Sequence, residues 1–257
     1  SKDLARLRML QVFQERALTK ETYRDQHKRP VAPPVGLRPQ RVASNNGVEK
    51  YFACAQSCGM GTYAHEIAHN FGLPDLYDYD GSSSGIGDWG LMASGSYGEK
   101  NRLANPSHLS AWSKQELGLL EPIVVDIGVS QSYTIGAAST SPDVLKIPIT
   151  SSEYYLIEYR STEANYYDAV IDSSGILIWH IDETNILNNI SGYKINENKL
   201  AKGINLEEAD GAQDIGYISN LLTDPSSGYW GDMWFKANNQ FFRSNTINNL
   251  ELIATKP

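Results

Sequence analysis

His65-Glu66-Ile67-Ala68-His69-Asn70-Phe71-Gly72-Leu73-Pro74-Asp75 is the run on which the reading of this chain turns. An α-helix advances about 3.6 residues per turn, so His65 and His69 share one face and can share one cation. Glu66 lies one residue along and reaches the same region, where it can take a proton from a metal-bound water. Gly72 lets the chain bend sharply, because a residue without Cβ tolerates positive φ. Pro74 cannot continue a helix. The bend returns Asp75 toward the ion as a third ligand. Two imidazoles and a carboxylate suit zinc, and three protein ligands leave a fourth position for water. The competing reading is a surface helix with stray histidines; two of only five histidines falling in this run count against it.

Working outward, a loop rich in oxygen donors and glycine follows, from Asp78 and Asp80 through Gly81, three serines, Gly85 and Gly87 to Asp88. Asp78, Asp80 and Asp88 are candidate calcium ligands, since calcium prefers carboxylate and carbonyl oxygens. A solvated Gly/Ser loop is the alternative. Trp89-Gly90-Leu91-Met92-Ala93-Ser94-Gly95 comes next. A methionine in a tight turn soon after a zinc helix matches the Met-turn, the apolar floor beneath the metal in metzincins. Residues 107–119 read as a helix with Ser107 as N-cap and Gly118 as its stop. The zinc helix itself is expected from about Thr62 to Phe71.

From Glu121 the pattern changes. Segments 123–127, 131–136, 143–149, 153–160, 175–181 and 204–209 are short, β-branched or aromatic, and separated by turn residues, which predicts strands of a sandwich or curved sheet packed on the catalytic part. Residues 210–249 read as long loops, in which Asp210, Asp214, Asp224 and Asp232 offer a second calcium position. His108 and His180 read as structural.

The chain has 257 residues and a net charge of −8, unevenly spread: residues 1–50 carry +6 and residues 51–257 carry −14. A basic leader ahead of an acidic body invites intramolecular docking, and the acidic body is a poor partner for nucleic acid. Residues 2–18 have a helical pattern, and Pro30 to Pro39 mark an extended linker. No apolar run approaches the roughly 20 residues of a membrane helix, and no signal peptide is visible. Cys54 and Cys58 are open to three readings: a small disulfide, two free thiols, or a thiolate that caps the zinc.

These stretches together resemble the immune inhibitor A family of secreted bacterial metallopeptidases, a metzincin branch. The zinc motif runs on through Leu76-Tyr77-Asp78. Gly87 to Ser96 is similar to the family's Met-turn region. Pro106 to Lys114, Tyr154 to Arg160, Gly175 to Asp182 and Glu208-Ala209-Asp210-Gly211 resemble its later portions. The resemblance implies a zinc endopeptidase acting on proteins or peptides, with His65, His69 and Asp75 as zinc ligands, Glu66 as catalytic base and Met92 as the turn methionine. It further implies secretion, a proenzyme stage and structural calcium. The expected architecture is α+β: a prosegment-like leader at 1–50, a metzincin-like zinc-peptidase core at 51–121, and a β-rich, sandwich-like subdomain at 122–257. Metzincins carry a multistranded sheet before the active helix, and residues 1–64 do not read as one. The alternative function is a latent or inactive homologue that binds a surface protein or glycan and keeps a structural zinc.

Overall fold

The computed structural model describes residues 41–44, 47–50, 59–98, 105–126, 128, 130–163, 167–169, 171, 173–216, 227–239, 241–243 and 251–253. The helix expected at 2–18, the proline-rich linker, Cys54, Cys58 and Asp224 lie outside them. Within the basic leader, β1 (Arg41–Ser44) pairs antiparallel with β2 (Gly47–Lys50).

The first helix, α1 (Met60–Asn70), carries the histidine run. Its end follows from Gly72, whose φ of 101° only glycine adopts cheaply. Gly72 N–H donates to the His69 carbonyl and Leu73 N–H to the Ala68 carbonyl, the paired bonds of a Schellman stop. Leu73 and Ala68 then bury together. The helix packs closely on the 3-10 turn Ser94–Ser96. A Cβ on Gly61 would sit 1.9 Å from the Ser96 carbonyl oxygen, so glycine is what permits the approach.

Beyond the stop, Leu76 fixes the returning chain from both sides. Its N–H donates to the Met92 carbonyl at 2.8 Å, and its carbonyl accepts from Ile86 N–H and Asn196 Nδ2. The helix expected at 107–119 is shorter, α2 (Ala111–Glu116). Ser110, not Ser107, caps it by accepting from Ser113 N–H, while the Ser107 hydroxyl donates to the Asp88 carbonyl. Gly118, at φ 65°, stops it as expected.

The β-rich half is a five-stranded sheet in the order β3 (Ile123–Val124), β4 (Leu145–Pro148), β5 (Glu153–Arg160), β6 (Gly175–Asp182), β7 (Ile204–Leu206). β3 runs parallel to β4 and the other pairs are antiparallel. The stretch 131–136 forms no strand; its neighbour Ala137 makes a single bridge to Tyr159. β7 ends at Leu206, three residues short of the expected 204–209. A third helix, α3 (Glu183–Asn189), follows β6 with Asp182 as its cap. The second face of the sheet carries Phe242 of β8 (Phe241–Arg243), which pairs with β9 (Glu251–Ile253). Among the described residues this is a mixed α/β arrangement with few helices, built on one larger sheet.

Alternation along β5 and β6 decides what each face meets. Tyr155, Ile157 and Ile178 turn to the cluster around Trp234 and Phe242. Tyr154, Leu156, Leu177, Trp179 and Ile181 join Ala68, Leu73, Leu76, Trp89, Met92 and Trp112 in one buried cluster, which spans the histidine region and the sheet. Two further positions of that same face on β5 are charged. Glu158 and Arg160 are fully buried. Glu158 accepts from Lys114 Nζ at 2.8 Å, Trp179 Nε1 at 2.9 Å and Ala111 N–H, and lies 3.0 Å from Arg160. Arg160 reaches Asp168 at 2.7 Å and the carbonyls of Trp89 and Leu109. The sheet thereby holds the 87–93 segment by its backbone.

Candidate metal centre

The helix and the bend after it converge as the spacing requires. His65 Nε2 lies 2.9 Å from Asp75 Oδ1, His69 Nε2 lies 3.1 Å from the same oxygen, and the two Nε2 atoms are 3.1 Å apart. The three atoms form a small, nearly equilateral triangle. His65 and Asp75 are buried and His69 is partly so.

The chemistry of the donors tests whether a cation fits. His65 Nδ1 meets the Leu91 carbonyl at 2.9 Å, and His69 Nδ1 meets the Leu73 carbonyl at 2.7 Å. A carbonyl only accepts, so each Nδ1 carries the proton and each Nε2 presents a lone pair. Two lone pairs and a carboxylate oxygen therefore face one another at about 3 Å. Asp75 Oδ1 is buried without a hydrogen-bond partner. Such a set of acceptors repels itself unless positive charge lies between them. Zinc, with nitrogen and oxygen ligands and a supporting carbonyl behind each ring, matches it. The titration directions agree. Burial would lower the His69 pKa, yet its bonds and attraction to Asp75 raise it. Burial would raise the Asp75 pKa, yet the two histidines hold its carboxyl well below the usual range.

Glu66 is half-buried on the same helix, and its charge reaches His69. Its carboxylate makes no hydrogen bond among the described residues. Met92 is 1% exposed in the turn that follows Leu91. The calcium candidates divide: Asp78 and Asp80 group with Glu197, within 4.8 Å, and Asp88 is not part of that group. Asp88 is exposed in the 3-10 turn Gly87–Trp89, with its N–H on the Ser227 carbonyl. Both Asp78 oxygens are already engaged: Oδ1 accepts from Asp80 N–H, and Oδ2 from the Ser82 hydroxyl and from the hydroxyl and N–H of Ser83. His180 bonds Glu153, and His108 stacks near Tyr167 with its N–H on Asp168, so both hold structural positions.

One residue escaped the sequence reading. The Tyr79 hydroxyl donates to Asp75 Oδ2, the carboxylate oxygen that faces away from the imidazoles. Tyr79 N–H bonds Glu197, and its ring packs near Tyr77 and Tyr193. The four-residue spacing from Asp75 was the available signal.

With this geometry in place, comparison with known proteins is informative. Residues 29–119 match the immune inhibitor A peptidase M6, catalytic domain. The pre-pro-metalloproteases PrtV of Vibrio cholerae serotype O1, strains M66-2 and ATCC 39315 / El Tor Inaba N16961, are each 42% identical over 59 residues. That stretch is 22% of this chain and 6% of the length of those relatives. The peptidase M6 match contains the whole histidine run and the Met92 turn, and supports a metallopeptidase. The matched family implies a metal, and of the metal-type groups among the described residues that of His65, His69 and Asp75 is the one lying wholly within the matched stretch, since Asp78 and Asp80 group with Glu197 beyond it.

Proposed function

We propose that this chain is the catalytic part of a secreted zinc endopeptidase made as a precursor. One observation carries the reading: three acceptor atoms, two imidazole and one carboxylate, lie 2.9–3.1 Å apart with both histidine Nδ1 protons committed to carbonyls. His65, His69 and Asp75 would hold zinc. Zinc held there supplies a Lewis acid for the scissile carbonyl and an acidified water. Glu66 takes the proton of the attacking water and returns it to the leaving amine. Its lack of a hydrogen-bond partner among the described residues supports the carboxylate's availability for that task. Leu91 and Leu73 hold the rings by their carbonyls, and Tyr79 holds Asp75 from behind. Met92 serves as the apolar floor of the turn.

Two observations support the precursor. The relatives are named pre-pro-metalloproteases. The +6 leader complements the −14 remainder, as a docked prosegment requires. Among the described residues no helix is long and apolar enough to cross a membrane.

The test separates the base from the ligands. Glu66→Ala should retain zinc by elemental analysis and lose roughly 10²–10⁴-fold in casein hydrolysis, the range of general-base catalysis. His65→Ala should lose both zinc and hydrolysis. A Glu66→Ala protein that still cleaves casein at the wild-type rate would refute the assignment.

A further inference from the structure

Four tyrosines from both halves of the chain gather at one edge of the histidine centre. The Tyr79 hydroxyl donates to Asp75 Oδ2, so its ring stands one carboxylate away from the two imidazoles. That ring neighbours Tyr77, with centroids 4.8 Å apart, and Tyr193, with centroids 6.3 Å apart. Tyr77 packs against the main core cluster and gives the group its footing. Tyr97, at the end of the Ser94–Ser96 turn, is close enough for its charge to bear on Tyr77. Tyr79, Tyr97 and Tyr193 are 47%, 62% and 59% exposed. A single exposed ring needs no explanation, but several together beside a reactive centre mark a recognition surface. Tyr193 makes the stronger demand. It lies beyond the matched stretch 29–119, in the turn that follows α3. Its φ of 58° is left-handed, an uncommon conformation for a bulky residue. Tyr193 N–H donates to the Ile190 carbonyl and Lys194 N–H to the Asn189 carbonyl, bonds that any residue in the turn would make. Glycine or asparagine would form the same turn with less strain. Backbone strain of this kind collects where a ligand is met.

We propose that Tyr79 and Tyr193 form a wall that receives an aromatic or large aliphatic side chain of the substrate beside the scissile bond. The inference rests on the peptidase reading of the same centre and adds the class of residue it selects. Exposed ring faces and edges take another ring in offset or edge-on contact, and an aliphatic chain by burial. Because Tyr79 is tied to Asp75, a side chain seated on its ring brings its own backbone to the three converging ligands. Glu197 accepts from Tyr79 N–H at 3.3 Å and groups with Asp78 and Asp80, so the wall carries negative charge beside it and disfavours an acidic residue. The segment after α3 thus contributes twice, with the Tyr193 ring and the Glu197 carboxylate, and selectivity is set partly by residues outside the matched catalytic stretch.

The experiment digests a defined peptide mixture with the full chain and zinc, and maps the cuts by mass spectrometry. On one side of the cut, Phe, Tyr or Leu should be favoured over Ala by at least about tenfold, with Asp least favoured. Tyr193→Asn keeps the left-handed turn and removes the ring. It should lower the Phe-to-Ala ratio roughly three- to tenfold, the size of one aromatic contact. It should also unfold no earlier than wild type on heating, so the lost preference is not a lost fold. Tyr193→Phe and Tyr79→Phe keep the rings and should keep the ratio. A second readout needs no turnover: Glu66→Ala protein should bind a fluorescein-labelled Phe peptide more tightly than its Ala counterpart by anisotropy, and adding Tyr193→Asn should erase that order. Cleavage without a Phe-to-Ala preference, a preference for Arg in its place, or a ratio unchanged in Tyr193→Asn would overturn the wall and leave the peptidase reading intact. Ordered binding by Glu66→Ala protein with no cleavage by wild type would overturn the peptidase reading and leave the wall.

Discussion

Asp75 shows how much one side chain can be asked to do. Its Oδ1 faces both imidazoles and its Oδ2 takes the Tyr79 hydroxyl, so the carboxylate is pinned from opposite sides. Partners behind a metal ligand fix its orientation and basicity, and losing one typically costs 10–100-fold in affinity. Tyr79→Phe should therefore weaken zinc binding about tenfold, measured by competition with a chromophoric chelator, with little change in stability; an unaltered affinity would show that the hydroxyl is incidental. Gly72 invites a second substitution. At φ 101°, with no atom within 4 Å of a new Cβ, the cost of Gly72→Ala is backbone strain alone. It should destabilise by about 1–2 kcal/mol in urea unfolding. The histidines, Gly72 and Asp75 were legible because their relations are local: helix period and a glycine stop act within eleven residues. Tyr79 was not, because its return to Asp75 depends on Leu76 pairing with Met92 and Ile86, which no local pattern announces.

At the scale of elements, β5 reads clearly as a strand and hides its main role. Its alternation predicts 153–160, the range observed, since both faces are buried against aromatic and aliphatic neighbours. What the pattern cannot tell is that Glu158 and Arg160, charged residues on a core-facing stripe, meet Lys114 from α2 and Asp168 from the loop that follows β5. Asp168 even adopts φ 62° to do so. Removing one member of a buried ionic set leaves its partners uncompensated, at about 3–5 kcal/mol. Glu158→Gln should lose about that much in urea unfolding. A loss under about 1 kcal/mol would mean the charges are solvated, as surface pairs are. The misread elements have similar causes. Segment 131–136 has strand-like residues but no pairing partner beyond one bridge at Ala137, so propensity went unused. Ser107 and Ser110 are equally good caps in isolation. Tertiary bonding decided between them, with the Ser107 hydroxyl taken by the Asp88 carbonyl.

For the whole molecule, acid joins these pieces into one measurable curve. Burial would raise the Glu158 pKa, but Arg160 and Lys114 outweigh it and hold the carboxyl at about 2. A depressed acid stabilises above its unfolded value and loses that contribution between about pH 4.5 and 2. His108 is lowered to about 4, by burial first and then by Lys114. The unfolded imidazole takes a proton near pH 6.5 while the folded one refuses it until about 4, so this contribution also falls as pH drops through that window. Glu208 and Asp232 act with the opposite sign. Burial raises them to about 7 and 6, so they cost stability at neutral pH and cease to cost it in mild acid. The two trends oppose each other between pH 7 and 4, and the unfolding free energy should vary little there. Glu208→Gln and Asp232→Asn together should remove the second trend by replacing both carboxyls with amides. Stability should then be highest near pH 7 and fall steadily toward pH 4. Urea unfolding at pH 7, 6, 5 and 4, in wild type and in the double variant, measures both curves; identical profiles in the two proteins would mean that Glu208 and Asp232 contribute nothing and that the acid response belongs to the Glu158 and His108 network alone.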